Sequence, residues 1–239
     1  MNEVSVDASK GSVFEDVLEV LWAPGKVFDR SRAKGVGMYI LVLTAITLVI
    51  VLATKGLIQP YVDANFDLQM RQMAAKGTPM PPEAVAAAQK FSGYGFIATG
   101  VLLIPIGAVL TGLLVWIGGK IASAKFSFGQ AMLIATLASV PKVLGFIATA
   151  AQGAIADPQT IRSFSDAALG AARFVDPVST SPALMALLAN VDVFNIWQLL
   201  IIAIGISVVG RVERSAGFVG ALVAWGLGVA MSVIPALLA

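Results

Sequence analysis

The sequence predicts an all-α, polytopic membrane bundle of five transmembrane helices, with the N-terminus cytoplasmic, the C-terminus outside and amphipathic helices at the interfaces. Three observations carry this. Of 239 residues 58% are hydrophobic and 13% charged, with a mean hydropathy of +0.87, too few polar groups to cover a soluble domain. Five uncharged runs are long enough to cross a bilayer, which takes about 20 apolar residues. Basic residues crowd the tail and the two short links between those runs.

Residues 1–35 form a cytoplasmic amphipathic segment. Phe14, Val17, Leu18 and Leu21 follow helical spacing, with Glu15, Asp16 and Glu19 opposite, and Trp22 and Pro24 end the run. A second short helix from Pro24 is expected to lay Val27 and Phe28 against the membrane and to leave Lys26, Arg30, Arg32 and Lys34 for acidic head groups. The acidic residues stand where a secretory leader would be apolar, so the first span itself is expected to direct insertion.

Residues 36–239 form the transmembrane domain, with spans at about 37–54, 95–119, 128–151, 193–210 and 215–237. Lys10, Lys26, Arg30, Arg32 and Lys34 precede the first span, Lys120 and Lys125 follow the second, and Arg211 and Arg214 follow the fourth. The long links 55–94 and 152–192 carry basic residues at lower density, which places them outside. Tyr39, Phe91, Tyr94, Phe96, Trp116, Phe194 and Trp197 stand at span ends, as interfacial rings do.

Both outer links read as helical. Val62, Phe66, Met70 and Met73 share a face before the breaker run 77–82, and Pro82 starts a new helix. Asp157 and Pro158 signal a helix start, after which Ile161, Phe164, Ala168, Ala171 and Val175 share a side. The run 183–189 is too short to span.

With no cysteine and no histidine, thiol chemistry, Ser-His-Asp triads and His/Cys metal sites are excluded, and no catalytic residue, metal site or cofactor is predicted. The formal charge of +2 is scattered, so nucleic acid is not an expected partner. The informative positions lie in the spans. Lys142 sits mid-span after Pro141, where a charge costs about 2.5–3.5 kcal/mol on insertion scales. Either its ammonium snorkels to one membrane face, or it belongs to a polar site shared with Asp192, Asn195 and Gln198 at the mouth of the fourth span. Asn190 and Asp192 also read as helix caps. Pro105 and Pro141 are kink positions, bounding a cavity or simply bending packed helices. Gly220, Ala224, Gly228 and Ser232 make a small-residue packing face, inside the bundle or between subunits.

Pro24 with Phe28, the close from Trp116 to Lys120 followed by Phe126, Ser127 and Phe128, the proline of the third span, and the run Val191, Asp192, Val193, Phe194, Asn195, Ile196, Trp197 together resemble a bacterial protein of the Yip1 family, over roughly residues 14–239. Eukaryotic members bind Rab GTPases and carry an acidic-Leu-Tyr-Gly-Pro signature; that signature is missing here, so the Rab role does not carry over. Some bacterial members resemble accessory subunits encoded beside ABC-type exporters with periplasmic adaptors. The resemblance implies a non-enzymatic scaffold or accessory subunit in the bacterial inner membrane, in contact with the lipid bilayer and with other membrane subunits or itself. A small channel, transporter or lipid-moving protein with a polar site near Lys142 is the alternative.

Overall fold

The computed structural model describes residues 11–238; Lys10 and Ala239, which entered the reading of topology, lie outside the described residues. Among the described residues nine α-helices follow one another: α1 (Val13–Glu19), α2 (Pro24–Ser31), α3 (Val36–Ala75), α4 (Pro82–Ile121), α5 (Phe128–Ala138), α6 (Val140–Gly153), α7 (Pro182–Ala189), α8 (Val193–Gly210) and α9 (Arg214–Leu238). Among the described residues five helical stretches are long and apolar enough to cross a membrane: α3, α4, α5 with α6, α8 and α9.

α3 and α4 are far longer than their apolar parts. Each has 40 residues, about 60 Å at 1.5 Å per residue, roughly twice the thickness of a hydrocarbon core. Their surplus lies at the end remote from α1 and α2, where they join through residues 76–81 as one hairpin. Lys55 stacks over Tyr94 at 5.7 Å from the ring centroid, and Gly93 faces Gln59, holding the two helices together near the base of the projection.

The third span is broken. α5 stops at Ser139 and α6 restarts with Pro141 in its first turn, because proline lacks the N–H that would bond back one turn and its ring collides with that carbonyl. The Ser139 hydroxyl donates to the Thr136 carbonyl at 2.7 Å, satisfying part of what the break frees. At Pro105, by contrast, α4 continues as one helix.

α5 forms the centre: Ala131, Leu133, Ile134, Ala135, Leu137 and Ala138 are all buried, packed on α4, α8 and α3. Leu102, Leu103, Ile106, Val109, Leu110 and Leu113 of α4 face outward, as do Phe218, Val219 and Leu222 of α9. A continuous apolar exterior of this kind is what lipid covers.

The N-terminal helices depart from the expectation. Val27 and Phe28 do not lie against the membrane; both are fully buried in the protein core, with the Phe28 ring filling the space that the missing side chain of Gly205 leaves on α8. Asp16 is not on a solvated face either, but fully buried, while Phe14, Leu18 and Trp22, one turn apart, form the exposed stripe of the α1 segment. Tyr39 is buried rather than interfacial, because its hydroxyl donates to Asp16.

The link 154–181 also differs from the single helix that its spacing suggested. Three short 3-10 turns, Pro158–Thr160, Phe164–Ala167 and Ala171–Phe174, wrap over the end of the bundle. Gly170 pairs with Asp192 in an isolated antiparallel bridge, through Ala171 N–H to the Val191 carbonyl at 2.9 Å and Val193 N–H to the Leu169 carbonyl at 3.2 Å. A Cβ at Gly170 would overlap the Val191 carbonyl, so a helix through this point would forfeit the bridge.

Candidate functional site

The break in the third span brings its polar residues to the middle of the bundle. α6 packs against α3 and α8, with Gly145 of α6 lying against the Phe194 ring of α8. Where these helices diverge, two cavities open. The larger, about 350 Å³, is lined by Lys142, Asp192 and Asn195 together with four rings, Phe96, Phe146, Phe164 and Phe194. The smaller, about 200 Å³, is lined by Lys142, Asn190, Asn195, Gln198, Thr111 and apolar groups of α4 and α9. Lys142 and Asn195 line both, so the cavities adjoin there.

The rings of the larger cavity hold one another. Phe96 meets Phe146 edge-on at 6.3 Å and stacks on Phe164 at 5.8 Å, and Phe164 stacks on Tyr61 at 6.3 Å. Phe164 belongs to the wrapping link, so the link closes one wall of the chamber. Gln152 fastens that link by donating to the Ala167 carbonyl at 2.8 Å, and Arg173 donates to Gln152 Oε1 at 2.7 Å.

The four polar residues expected near one another are thus distributed around one pair of cavities, with different duties. Asp192 caps α8: its Oδ1 accepts from the Phe194 N–H at 2.9 Å. Asn195 donates to the Ala189 carbonyl at 3.2 Å, and Asn190 donates to the Ala186 carbonyl at 2.8 Å and to Ser232 Oγ at 3.1 Å. Lys142 and Gln198 differ. Among the described residues neither side chain has a hydrogen bond or ion pair; Asp192 acts on Lys142 through space but is not within salt-bridge distance. Lys142 is exposed, and it lines both cavities.

Of the small-residue face of α9, Gly220 and Ala224 are buried inside the chain, Gly228 is half-buried and Ser232 exposed. A Cβ at Gly118 of α4 would overlap the Gly220 carbonyl, so these helices touch backbone to backbone; Ala224 is buried beside them. Gly228 has only Leu114 nearby, at 3.5 Å, and Ser232 meets Asn190 at the end of α7. Of the two prolines, Pro141 stands at the broken helix beside Lys142, whereas Pro105 lines neither cavity.

One cluster escaped the reading of the sequence. Asp16 accepts from Arg30 Nε at 2.5 Å, from Lys34 Nζ at 2.9 Å and from the Tyr39 hydroxyl, and Arg30 also pairs with Glu19 at 2.5 Å. Burial disfavours the charged guanidinium of Arg30, but its bonds to Asp16 and Glu19 outweigh that and hold it above the ordinary arginine value. The cluster ties α1 to α2 and to the start of α3. Its one signal in the sequence is that Arg30 and Lys34 stand one turn apart, which reads equally well as a head-group patch.

Among the described residues, no three His, Cys, Asp or Glu side chains are placed to hold a metal ion. The family model for the Yip1 domain matches residues 18–234. The chain is 21% identical over 239 residues to "Membrane protein YknW" of Bacillus subtilis (strain 168), covering 99% of this chain and 97% of that protein. No solved structure matches the chain.

Proposed function

The chain belongs to the Yip1 family, and from that premise we propose that it is a non-enzymatic accessory subunit of the bacterial inner membrane that binds another membrane complex, an ABC-type exporter with a periplasmic adaptor. The observation that carries this reading is the α3–α4 hairpin. It continues about 30 Å beyond the apolar part of α3, and Asp67, Gln69, Arg71, Gln72 and Lys90 on it are exposed. Its base is buried against α6 and the wrapping link through Ile58, Tyr61 and Val62, and the part beyond them, exposed and with no buried cluster of its own among the described residues, suits contact with a neighbouring subunit.

In the proposed orientation α1, α2 and the short links face the cytoplasm, and the hairpin and the wrapping link face outward, where an adaptor would stand. Photo-crosslinking tests the reading. A photoreactive residue at Arg71 or Lys90 should form adducts with another protein in native membranes, and one at Leu103 should capture lipid; adducts with lipid alone at all three positions would contradict the proposal.

A second reading, a small channel, transporter or lipid-moving protein, is favoured by one observation: Lys142 follows the break in the third span and lines both cavities, and discontinuous helices are common where transporters bind their substrates.

A further inference from the structure

We propose that the adjoining cavities around Lys142 bind one amphiphile with an anionic head, the head on the Lys142 ammonium and the Gln198 amide, and the apolar body among Phe96, Phe146, Phe164 and Phe194. The smaller cavity has Lys142 as its single charged lining residue and no carboxylate, so its field is positive. Gln198 is buried there, and the amides of Asn190 and Asn195 are already engaged with backbone carbonyls while that of Gln198 is not. Among the described residues the Lys142 ammonium and the Gln198 amide have no hydrogen-bond partner, and a carboxylate or a phosphate ester matches the pair.

The larger cavity supplies the other half. Its four rings and Ile58, Ala167, Ala168 and Leu169 make it mostly apolar, and its volume falls at the lower end of the range of about 300–1,000 Å³ usual for small-molecule pockets. Asp192 is its carboxylate, and with Oδ1 already held by the Phe194 N–H it repels a second anion at that end. The charged head is therefore directed to the Gln198 side and the chain to the rings. A free fatty acid and an acidic membrane lipid share this chemistry. The inference concerns a ligand and does not depend on the accessory-subunit reading, which is tested at the hairpin.

The test uses the full chain in phosphatidylcholine nanodiscs with three radiolabelled probes: oleate, dioleoyl phosphatidate and inorganic phosphate. The parent should bind oleate or phosphatidate saturably, near one per chain, and bind inorganic phosphate far more weakly. Preference for oleate identifies a free fatty acid as the ligand class, preference for phosphatidate a membrane lipid, and either supports the proposal. Loss of a charge-assisted contact should weaken binding about tenfold in Lys142→Met and several-fold in Gln198→Leu, while Lys142→Arg keeps it. Gln198→Leu carries the test if the lysine variant does not fold. Absence of saturable binding by either amphiphile, equal binding by inorganic phosphate, or unchanged binding in Gln198→Leu would overturn it.

Discussion

Asp16 and Arg30 form a 2.5 Å ion pair in which the carboxylate has no exposure at all, although fourteen positions separate them in the chain. Asp16→Asn would leave Arg30 and Lys34 facing a neutral amide. Both cations keep about a quarter of their side chains exposed, so the expected loss is near the lower bound for a broken buried pair, about 3 kcal/mol. Thermal unfolding in detergent checks this, with Glu15→Gln on the same helix as the control; equal melting of the two variants would remove the cluster's structural role.

The contact between Gly118 and Gly220 makes a second prediction. Gly118→Ala forces the backbones of α4 and α9 apart and should cost about 1–3 kcal/mol, whereas Gly228→Ala, which meets only Leu114, should be close to neutral. Detergent melting of both variants measures the difference, and the reverse order would contradict the intramolecular packing of α9.

The wrapping link should loosen in acid. Burial would raise the Asp166 carboxyl, but the Arg162 side chain at 2.7 Å and the Arg162 N–H outweigh it and hold Asp166 below the ordinary value of 3.8. A depressed folded-state value gives stability that is complete above the unfolded carboxylate range and lost as the pH falls below about 4 through the lowered value. Hydrogen exchange at residues 161–176 should therefore be slow at pH 6 and faster near pH 3, with exchange chemistry corrected, and Asp166→Asn should shrink the difference, leaving the part due to Asp176, whose carboxyl is also held low by the Val178 N–H, Ser179 and Arg162.

The five spans were legible because each rests on a local signal, an uncharged run closed by charges or breakers; the helices that Lys142, Asp192, Asn195 and Gln198 stand on follow from those runs, whereas the two cavities around them are a tertiary fact. The N-terminal helices were not legible. Periodicity reports that α1 has two faces but not which of them meets protein, and the ion pairs of Asp16 come from residues on α2 and beyond, so its burial is a tertiary fact. The link 154–181 misled for a related reason: its helical spacing is real, yet the bridge at Gly170 and the Gln152 bonds hold it in short turns. Among the described residues no salt bridge joins Lys142 to Asp192, whose Oδ1 accepts from the Phe194 N–H at the start of α8.

The basic residues at 120 and 125 and at 211 and 214 predict the orientation. A reporter active only in the cytoplasm should work when fused after Lys125 and be silent when fused after Ala239. The opposite pattern would invert the bundle and move the hairpin to the cytoplasmic side.

The most direct measurement is affinity purification of the full chain from native membranes in mild detergent, beside a variant in which residues 70–86 are replaced by a short Gly-Ser turn, with the mass of each complex determined. The proposed function predicts that the parent carries exporter subunits in fixed stoichiometry and that the variant, inserted and melting like the parent, has lost them. A parent that runs without other chains, or a variant that keeps them undiminished, would contradict it.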